Sequence, residues 1–301
     1  MKQETFLCLP LELAKILIPV LVTIFLFFIG HIIGWIKNKY EKFKETKEYR
    51  EMILEWINIL ENPIKTQIVS CKKFAEQVGS SRDLQPVVLE YNNFIIEKIE
   101  TIPFERYVKT FVINTKGDKK EKYKQIYNLI SQFDYLRNVQ KEMLDFYEKY
   151  HSYCEELMNE WNTNFINFDT IVEKHTLDTK AQSITTDPFH LKILEIVIQW
   201  GRNSVDGQSS VQNSMIHLIN PMSDLVSQEL KDNPINEYAY SLDICLQGFN
   251  ITLKKLAGNY DGNKNLFSSI SQNMETSLET LIAVKEFFNK KTKVRCLFNI
   301  N

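Results

Sequence analysis

The pattern of hydrophobic and polar positions separates one apolar segment near the N-terminus from a long amphipathic remainder. Ile16–Ile36 reads ILIPVLVTIFLFFIGHIIGWI, with no formally charged residue. At a rise of about 1.5 Å per residue, this segment is long enough to cross a hydrocarbon core of about 30 Å. We predict a retained transmembrane helix rather than a signal peptide, because Glu4 and Glu12 acidify the preceding stretch and no small-residue cleavage site follows.

The charges that flank the apolar segment predict its orientation. Only Lys2 and Lys15 precede it, whereas six basic residues follow it closely. By the positive-inside rule, the N-terminus is expected outside and the remaining chain in the cytoplasm. The six following residues are Lys37, Lys39, Lys42, Lys44, Lys47 and Arg50.

One side of the predicted span carries more small and polar residues than an anchor requires. Gly30 and Gly34 form a GxxxG pair, which lets two helix backbones approach closely within a membrane. His31 is ionisable at membrane depth and is therefore a candidate functional residue. The alternative is an ordinary anchor, in which glycine and threonine are common and His31 reaches the headgroups. The predicted pore or oligomer face consists of Lys15, Pro19, Thr23, Gly30, His31 and Gly34, with His31 about 60° beyond the edge of an arc of about 100°.

Beyond residue 36 the apolar residues keep helical spacing, and no convincing alternating strand pattern appears. We predict an all-α chain, with a single N-terminal transmembrane helix followed by a cytoplasmic multi-helix bundle. The predicted parts are the N-terminus and span (1–36), a helical stalk (37–62), a first helical bundle (63–178) and a second (186–301), with Thr176–Asp187 as the linker.

Proline, glycine and polar clusters predict the breaks between these helices. Asp187 is expected to cap the apolar helix that follows it. In the first half of the chain the predicted elements are a stalk ending at Asn62-Pro63, a helix over Val87–Ile102, a short helix from Pro103 to Val112 and a loop over Asn114–Lys120 hinged at Gly117. From Glu121 to Lys174 we predict one very long helix or a closely spaced pair, with Asn162–Asn167 as the break. In the second half they are a helix from Pro188 ended by Gly201, two short helices flanking Asn220-Pro221, a helix from Asn233-Pro234 to Leu256, a turn at Gly258–Gly262 and a last helix over Asn265–Asn289.

Composition and motifs exclude several classes of protein. A net charge of −2 over 301 residues argues against a histone-like nucleic-acid binder, and five dispersed cysteines without a CxxC pair form neither a disulfide framework nor a zinc pattern. The P-loop, GxGxxG, HExxH and GxSxG motifs are absent. We therefore expect no enzyme, catalytic residue, metal site or cofactor. His190 and His217 lie in apolar helices and are expected to be satisfied core residues.

Basic residues cluster around the predicted loop at Gly117, with Tyr107 and Tyr123 among them. Lysine and arginine beside aromatic rings are suited to a phosphate-bearing ligand, such as a nucleotide or an oligonucleotide. The alternatives are a solvated loop, or contact with anionic lipid if the cluster faces the bilayer. A second basic run occupies Lys290–Arg295. The predicted ligand-binding residues are Arg106, Lys116, Lys119, Lys120, Lys122 and Lys124.

An N-terminal span joined to a helical cytoplasmic region resembles the membrane effectors of bacterial anti-phage defence, in particular the channel effector of the Hailong system. The residues that carry this resemblance are Ile16–Ile36, with Lys15, Thr23, Gly30, His31 and Gly34 on or near one face. The resemblance implies a homo-oligomer in the bacterial inner membrane whose pore is gated by a ligand. One span cannot enclose a pore, so at least four copies would be required. The alternatives are a membrane-tethered scaffold, or a subunit of a larger membrane complex without pore activity.

Overall fold

A computed structural model describes residues 5–6, 9–81, 84–91, 102–113, 115, 117–181, 187–203 and 211–291. The described chain is mostly helical, and a pair of two-residue strands lies near its N-terminal end. These strands are β1 (Thr5–Phe6) and β2 (Leu9–Pro10), which pair antiparallel with Thr5 opposite Pro10. The all-α prediction is confirmed: a long apolar N-terminal helix is followed by a multi-helix region.

Three helices account for most of the described chain. They are α1 (Leu11–Ser80), α3 (Lys119–Ala181) and α7 (Glu237–Lys291). The shorter elements are α2 (Phe104–Val108), which continues as a π-helical turn (Lys109–Ile113), α4 (Pro188–Asn203), α5 (Val211–Ser214), a second π-helical turn (Met215–Ile219) and α6 (Asn220–Asp232).

The predicted end of the stalk at Asn62-Pro63 is wrong, because α1 continues through it to Ser80. A proline inside a helix costs about 3 kcal/mol. Leu60, Ile64 and Ile68 continue the buried face of α1 across Pro63. Burying each of these side chains contributes about 1.5–3 kcal/mol, so the combined burial outweighs the local penalty.

Three further predicted interruptions are helical for the same reason. α3 runs through Asn162–Asn167, which confirms the alternative of one very long helix, and continues through the start of the predicted linker as far as Ala181. α7 runs through the predicted turn at Gly258–Gly262, where Leu256 and Tyr260 are buried on either side of Gly258. Polar and glycine residues on an exposed face do not end a helix whose opposite face stays apolar.

The predicted helix Val87–Ile102 is wrong over its described part, because residues 86–91 are not helical. The Val87 N–H donates to the Tyr150 hydroxyl (3.0 Å), and the Glu90 carbonyl accepts a hydrogen bond from Ser70. The backbone is thus satisfied by side chains of α1 and α3 instead of by its own helical turn. Residues 92–101 lie outside the described part of the chain.

The short helix after Pro103 is confirmed, as is the helix after Pro188, which continues past Gly201 to Asn203. Asn220-Pro221 does not separate two helices: helix continues on both sides of a π-helical turn, from 211 to 232. Proline removes one helical donor and crowds the carbonyl four residues earlier, and a wider turn at that point relieves both problems.

The chain divides into two compact units that interleave along the sequence. Unit 1 comprises residues Met1–Glu61, Ile95–Asp134 and Leu278–Asn301, and unit 2 comprises Asn62–Phe94 and Tyr135–Ser277. This division differs from the predicted consecutive bundles, 63–178 and 186–301, since segments of both contribute to unit 2. α1, α3 and α7 each supply residues to both units.

Each unit has its own core. In unit 1 the rings of Phe111 and Phe288 pack with centroids 4.4 Å apart, and Arg50 donates to the Phe288 carbonyl. In unit 2 Phe74 packs on Phe267 (4.5 Å) and Tyr150 (5.4 Å). The core of unit 1 therefore joins α7 to α1 and to the turn after α2, and the core of unit 2 joins α7 to α1 and α3.

Candidate functional site

The N-terminal part of α1 is the one described helix that is long and apolar enough to cross a membrane. Its most apolar window of 18 residues has a mean hydropathy of 2.7, and none of that window is buried within the protein. Phe25, Phe27 and Ile33 are among the large apolar side chains that it exposes. An exposed apolar surface of this length is suited to a lipid environment.

The predicted oligomer face lies along this exposed part of α1. Gly30, His31 and Gly34 line a shallow groove together with Phe27, Trp35 and Asn38. No atom outside the local backbone lies within 4 Å of the position that a Cβ would take at Gly30 or Gly34. The groove is therefore open to a second helix.

The polar members of this face have partners within α1. The Thr23 hydroxyl donates to the Pro19 carbonyl (2.8 Å), so it presents no unsatisfied donor to lipid. The His31 ring stacks on Phe27, with centroids 6.1 Å apart and an interplanar angle of 12°. The side chain of Lys15 lies outside the described part of the structure.

The predicted ligand-binding cluster separates into two groups. Arg106 donates to Glu45 Oε1 (2.8 Å) and lies over the Tyr49 ring (3.7 Å), which fixes α2 to α1. Lys122 is only 1% exposed, and its ammonium donates to Thr115 Oγ1 (2.9 Å) and to the Gly117 carbonyl (3.4 Å). These two residues hold the loop before α3 in place.

The second group is exposed to solvent. Lys119, Lys120, Tyr123 and Lys124 share one face of the first two turns of α3, and we call them the basic surface. Tyr127 continues this face and is 72% exposed. Lys116 lies outside the described residues. The part of the predicted cluster that is available to an external ligand is thus the basic surface.

A polar network that the sequence did not predict joins three elements of unit 2. His175 Nε2 lies 2.9 Å from Asp187 Oδ2, and the His175 ring stacks on Tyr238 with centroids 3.7 Å apart. His190 Nδ1 lies 3.0 Å from the Tyr238 hydroxyl, and its Nε2 lies 3.0 Å from Thr176 Oγ1. The network connects the end of α3, the start of α4 and the start of α7.

The hydrogen-bond directions in this network follow from donor counting. The single hydroxyl proton of Thr176 goes to the Val172 carbonyl (2.8 Å), so Thr176 accepts from His190 Nε2. In the neutral ring Nδ1 is then an acceptor, and Tyr238 donates to it. Asp187 Oδ1 accepts from the N–H of Phe189 (2.9 Å) and of His190 (3.3 Å), which confirms its predicted role as the cap of α4.

Burial and charge shift the pKa values in this network in opposite ways. Burial lowers the pKa of His190, and the neighbouring His175 lowers it further, while Asp187 opposes the change. Burial acts to raise the pKa of Asp187, but the hydrogen bonds from His175 and from two backbone N–H groups hold it below its ordinary value. Burial raises the pKa of Tyr238. His190 is therefore a buried and satisfied residue, as the sequence predicted.

The composition of this network is that of a structural contact that holds three elements together. It contains two imidazoles, a carboxylate and two hydroxyls, each bonded to another member or to the backbone. Among the described residues, no group of three or more His, Cys, Asp or Glu side chains is arranged to hold a metal ion. Asp187 was recognisable from the sequence as a helix cap, but the 14 residues between His175 and His190 gave no sign of their contact.

No family model, curated protein or solved structure matches the chain.

Proposed function

We propose that this chain is a single-span membrane effector that self-associates through the Gly30 and Gly34 face and whose helical region controls the state of the assembled spans. The observation that carries the proposal is the continuity of α1. One helix contains the unburied apolar window and, from Thr46 onward, residues buried in the helical region. A displacement of the helical region would therefore reach the bilayer without passing through a loop.

The contacts just beyond the span support this coupling. Within unit 1, Glu45, Tyr49 and Arg50 of α1 contact Arg106 of α2 and the Phe288 carbonyl of α7. The part of α1 that lies nine to fourteen residues beyond Ile36 is thus tied to two other elements. A rearrangement of those elements would rotate or tilt the span.

The open groove at Gly30 and Gly34 supports the proposed self-association. Helices in lipid associate by close packing and not by hydrophobic burial, so two small residues one turn apart supply the required contact surface. Thr23 and His31 would then face an interior shared by several copies, where polar groups avoid lipid. A ring of at least four copies would enclose a narrow ion path, as the resemblance to defence effectors implies.

The test is the mass of the full-length protein in detergent, measured by native mass spectrometry. We expect wild type to form a tetramer or larger ring and Gly30→Leu to be monomeric, because leucine fills the groove. Ile32→Phe, which adds bulk to the opposite face of α1, is the matched control and should assemble like wild type. A monomeric wild type, or normal assembly of Gly30→Leu, would contradict the proposal.

A second measurement separates an effector from a tethered scaffold. The whole span is exchanged for an unrelated single span, and dye release from proteoliposomes is compared with that of wild type. We expect the exchange to abolish release, because the polar face is lost. A scaffold would retain its partner binding after the exchange, and neither form would release dye.

A further inference from the structure

The lysines of the basic surface belong to the same unit as the predicted span. Thr115 Oγ1 accepts from Lys122 in the first turn of α3 and donates to the Phe111 carbonyl, so the start of α3 is tied to the turn that follows α2. α2 in turn contacts Glu45 and Tyr49 of α1 through Arg106. The basic surface is thus built onto the part of α1 that directly follows the apolar segment.

The distance from the bilayer can be estimated along α1. Glu45 and Tyr49 lie nine and thirteen residues beyond Ile36, or about 14 and 20 Å along the helix axis. The headgroup layer occupies roughly the first 5–8 Å of that distance. The remaining gap is comparable to the Debye length of about 10 Å at moderate ionic strength. Lysines at the level of Glu45 and Tyr49 would therefore experience the potential of a charged membrane surface.

The side chains at this end of unit 1 have the chemistry that headgroups attract. Residues 104–124 include seven basic and three acidic side chains. Lys109 is exposed, and Phe104 and Ile113 at either end of α2 and its π-helical turn are large exposed apolar residues. Lysines surrounded by exposed apolar and aromatic side chains are typical of surfaces that contact the membrane interface.

We propose that the basic surface, Lys119, Lys120, Tyr123 and Lys124, binds the headgroups of anionic phospholipids in the bilayer that α1 crosses. This inference rests on the proposed insertion of α1 and identifies the partner of the predicted anionic-ligand site. Because α1 would hold the basic surface close to the bilayer, the effective concentration of headgroups at this surface would be high. Weak individual contacts would then be sufficient for binding. The surface is a convex helix face bearing lysine point charges, which suits a fluid array of phosphates.

The experiment uses the full-length protein in nanodiscs of phosphatidylcholine alone or mixed with phosphatidylglycerol. Amine-reactive labelling of each lysine is followed by mass spectrometry. We expect labelling of Lys119, Lys120 and Lys124 to slow about fivefold in the anionic discs, and high salt to reverse the effect. Equal labelling rates in both lipids would overturn the proposal. The internal reference is a set of exposed lysines of unit 2: Lys174, Lys192 and Lys231.

A triple variant tests whether these side chains retain lipid. Lys119→Gln/Lys120→Gln/Lys124→Gln should copurify with fewer phosphatidylglycerol molecules than wild type. The charge-matched control, Lys174→Gln/Lys192→Gln/Lys231→Gln, should retain the wild-type number. Equal retention by both variants would overturn the assignment to the basic surface.

A single strand of nucleic acid is the competing occupant, because exposed tyrosines beside lysines also stack on bases. A fluorescent oligothymidylate is titrated against the protein in phosphatidylcholine discs, and we expect no saturable binding. Binding that is lost in the triple lysine variant would overturn the lipid proposal. If the protein does not enter nanodiscs at all, the proposed membrane function fails. If it enters them and shows no lipid dependence, only this inference fails.

Discussion

Gly117 has a φ of 118°, in the left-handed region that side chains with a Cβ rarely adopt. Its carbonyl accepts from Lys122, so the unusual backbone conformation is fixed by a buried ammonium. Gly258 and Gly262 differ from Gly117 because they lie within α7, where nothing approaches the position of an added Cβ within 4 Å. The same substitution should therefore have opposite effects at the two kinds of site.

We expect Gly117→Ala to lower the free energy of unfolding by at least about 1 kcal/mol, because alanine is strained at this φ. Gly258→Ala should raise it by about 0.5–1 kcal/mol, because alanine favours the helix and meets no neighbour. Thermal unfolding of the detergent-solubilised protein measures both changes in a single assay. A decrease in melting temperature for both variants would contradict the distinction.

Lys122 shows why the residues of the predicted ligand cluster do not all lie on one surface. Its neighbours Lys120 and Lys124 are exposed, yet Lys122 is buried against Thr115. At 100° per residue Lys122 lies about 160° around α3 from both Lys120 and Lys124, so the helical angles predict that Lys122 faces away from these two lysines. Charge density along the sequence does not distinguish the two sides of a helix.

At the scale of elements, the polar network makes the junction of α3, α4 and α7 sensitive to pH. The pKa of His190 is lowered in the folded protein. As the pH falls, the unfolded chain therefore binds a proton at this histidine near its ordinary pKa of about 6.5, whereas the folded chain binds it only at a lower pH. Stability from this site is therefore present above about pH 6.5 and is lost as the pH falls below it. His175, Asp187 and Tyr238 are the titratable groups that face His190.

We expect the melting temperature of wild type to fall as the pH decreases below about 6.5. Each kcal/mol lost from the free energy of unfolding should lower it by about 2–4 °C. Tyr238→Phe removes the donor to His190 Nδ1 and should destabilise the protein by about 1–3 kcal/mol at neutral pH. His190→Gln should flatten the pH profile between neutrality and the range where carboxylates titrate. Asp187 has a lowered pKa, so its contribution is lost only in more acidic solution.

His151 provides the control for the pH profile. It is partly exposed and contacts Glu155 one turn later in the same helix. His151→Gln replaces an imidazole outside the network and is therefore the control for the substitution itself. If His190→Gln retained the wild-type profile, the network would not be its source.

The helices themselves were predictable because their apolar positions repeat every three to four residues over long stretches. Their ends were not, because the prolines and glycines of the predicted breaks lie on faces whose opposite side is buried, as at Pro63 and Gly258. Helix caps that depend on a specific side chain could be predicted from the sequence in one case but not in another. Asp187 was identified, whereas the cap of α7 is Asn236, which accepts from the N–H of Tyr238 and Ala239, three residues after the predicted start at Asn233.

For the whole molecule, the asymmetric charges around the apolar segment predict that the helical region faces the cytoplasm. Ile235 is 87% exposed at the turn between α6 and α7 and provides a reporter position. We expect Ile235→Cys, with Cys8 and Cys296 changed to serine, to react with a membrane-impermeant maleimide in inverted bacterial vesicles but not in intact spheroplasts. Labelling in spheroplasts would place the helical region outside.

The interleaving of the two units has a consequence for biosynthesis. The predicted span leaves the ribosome before the helical region, and unit 2 has all of its segments once Ser277 is made. Unit 1 also needs the end of α7, because Phe288 packs on Phe111 and accepts from Arg50. The order in which domains usually complete folding during synthesis is thereby reversed. The unit that contains the predicted span is completed after unit 2. A chain truncated before Phe288 would therefore carry the span without a finished unit 1 to control it.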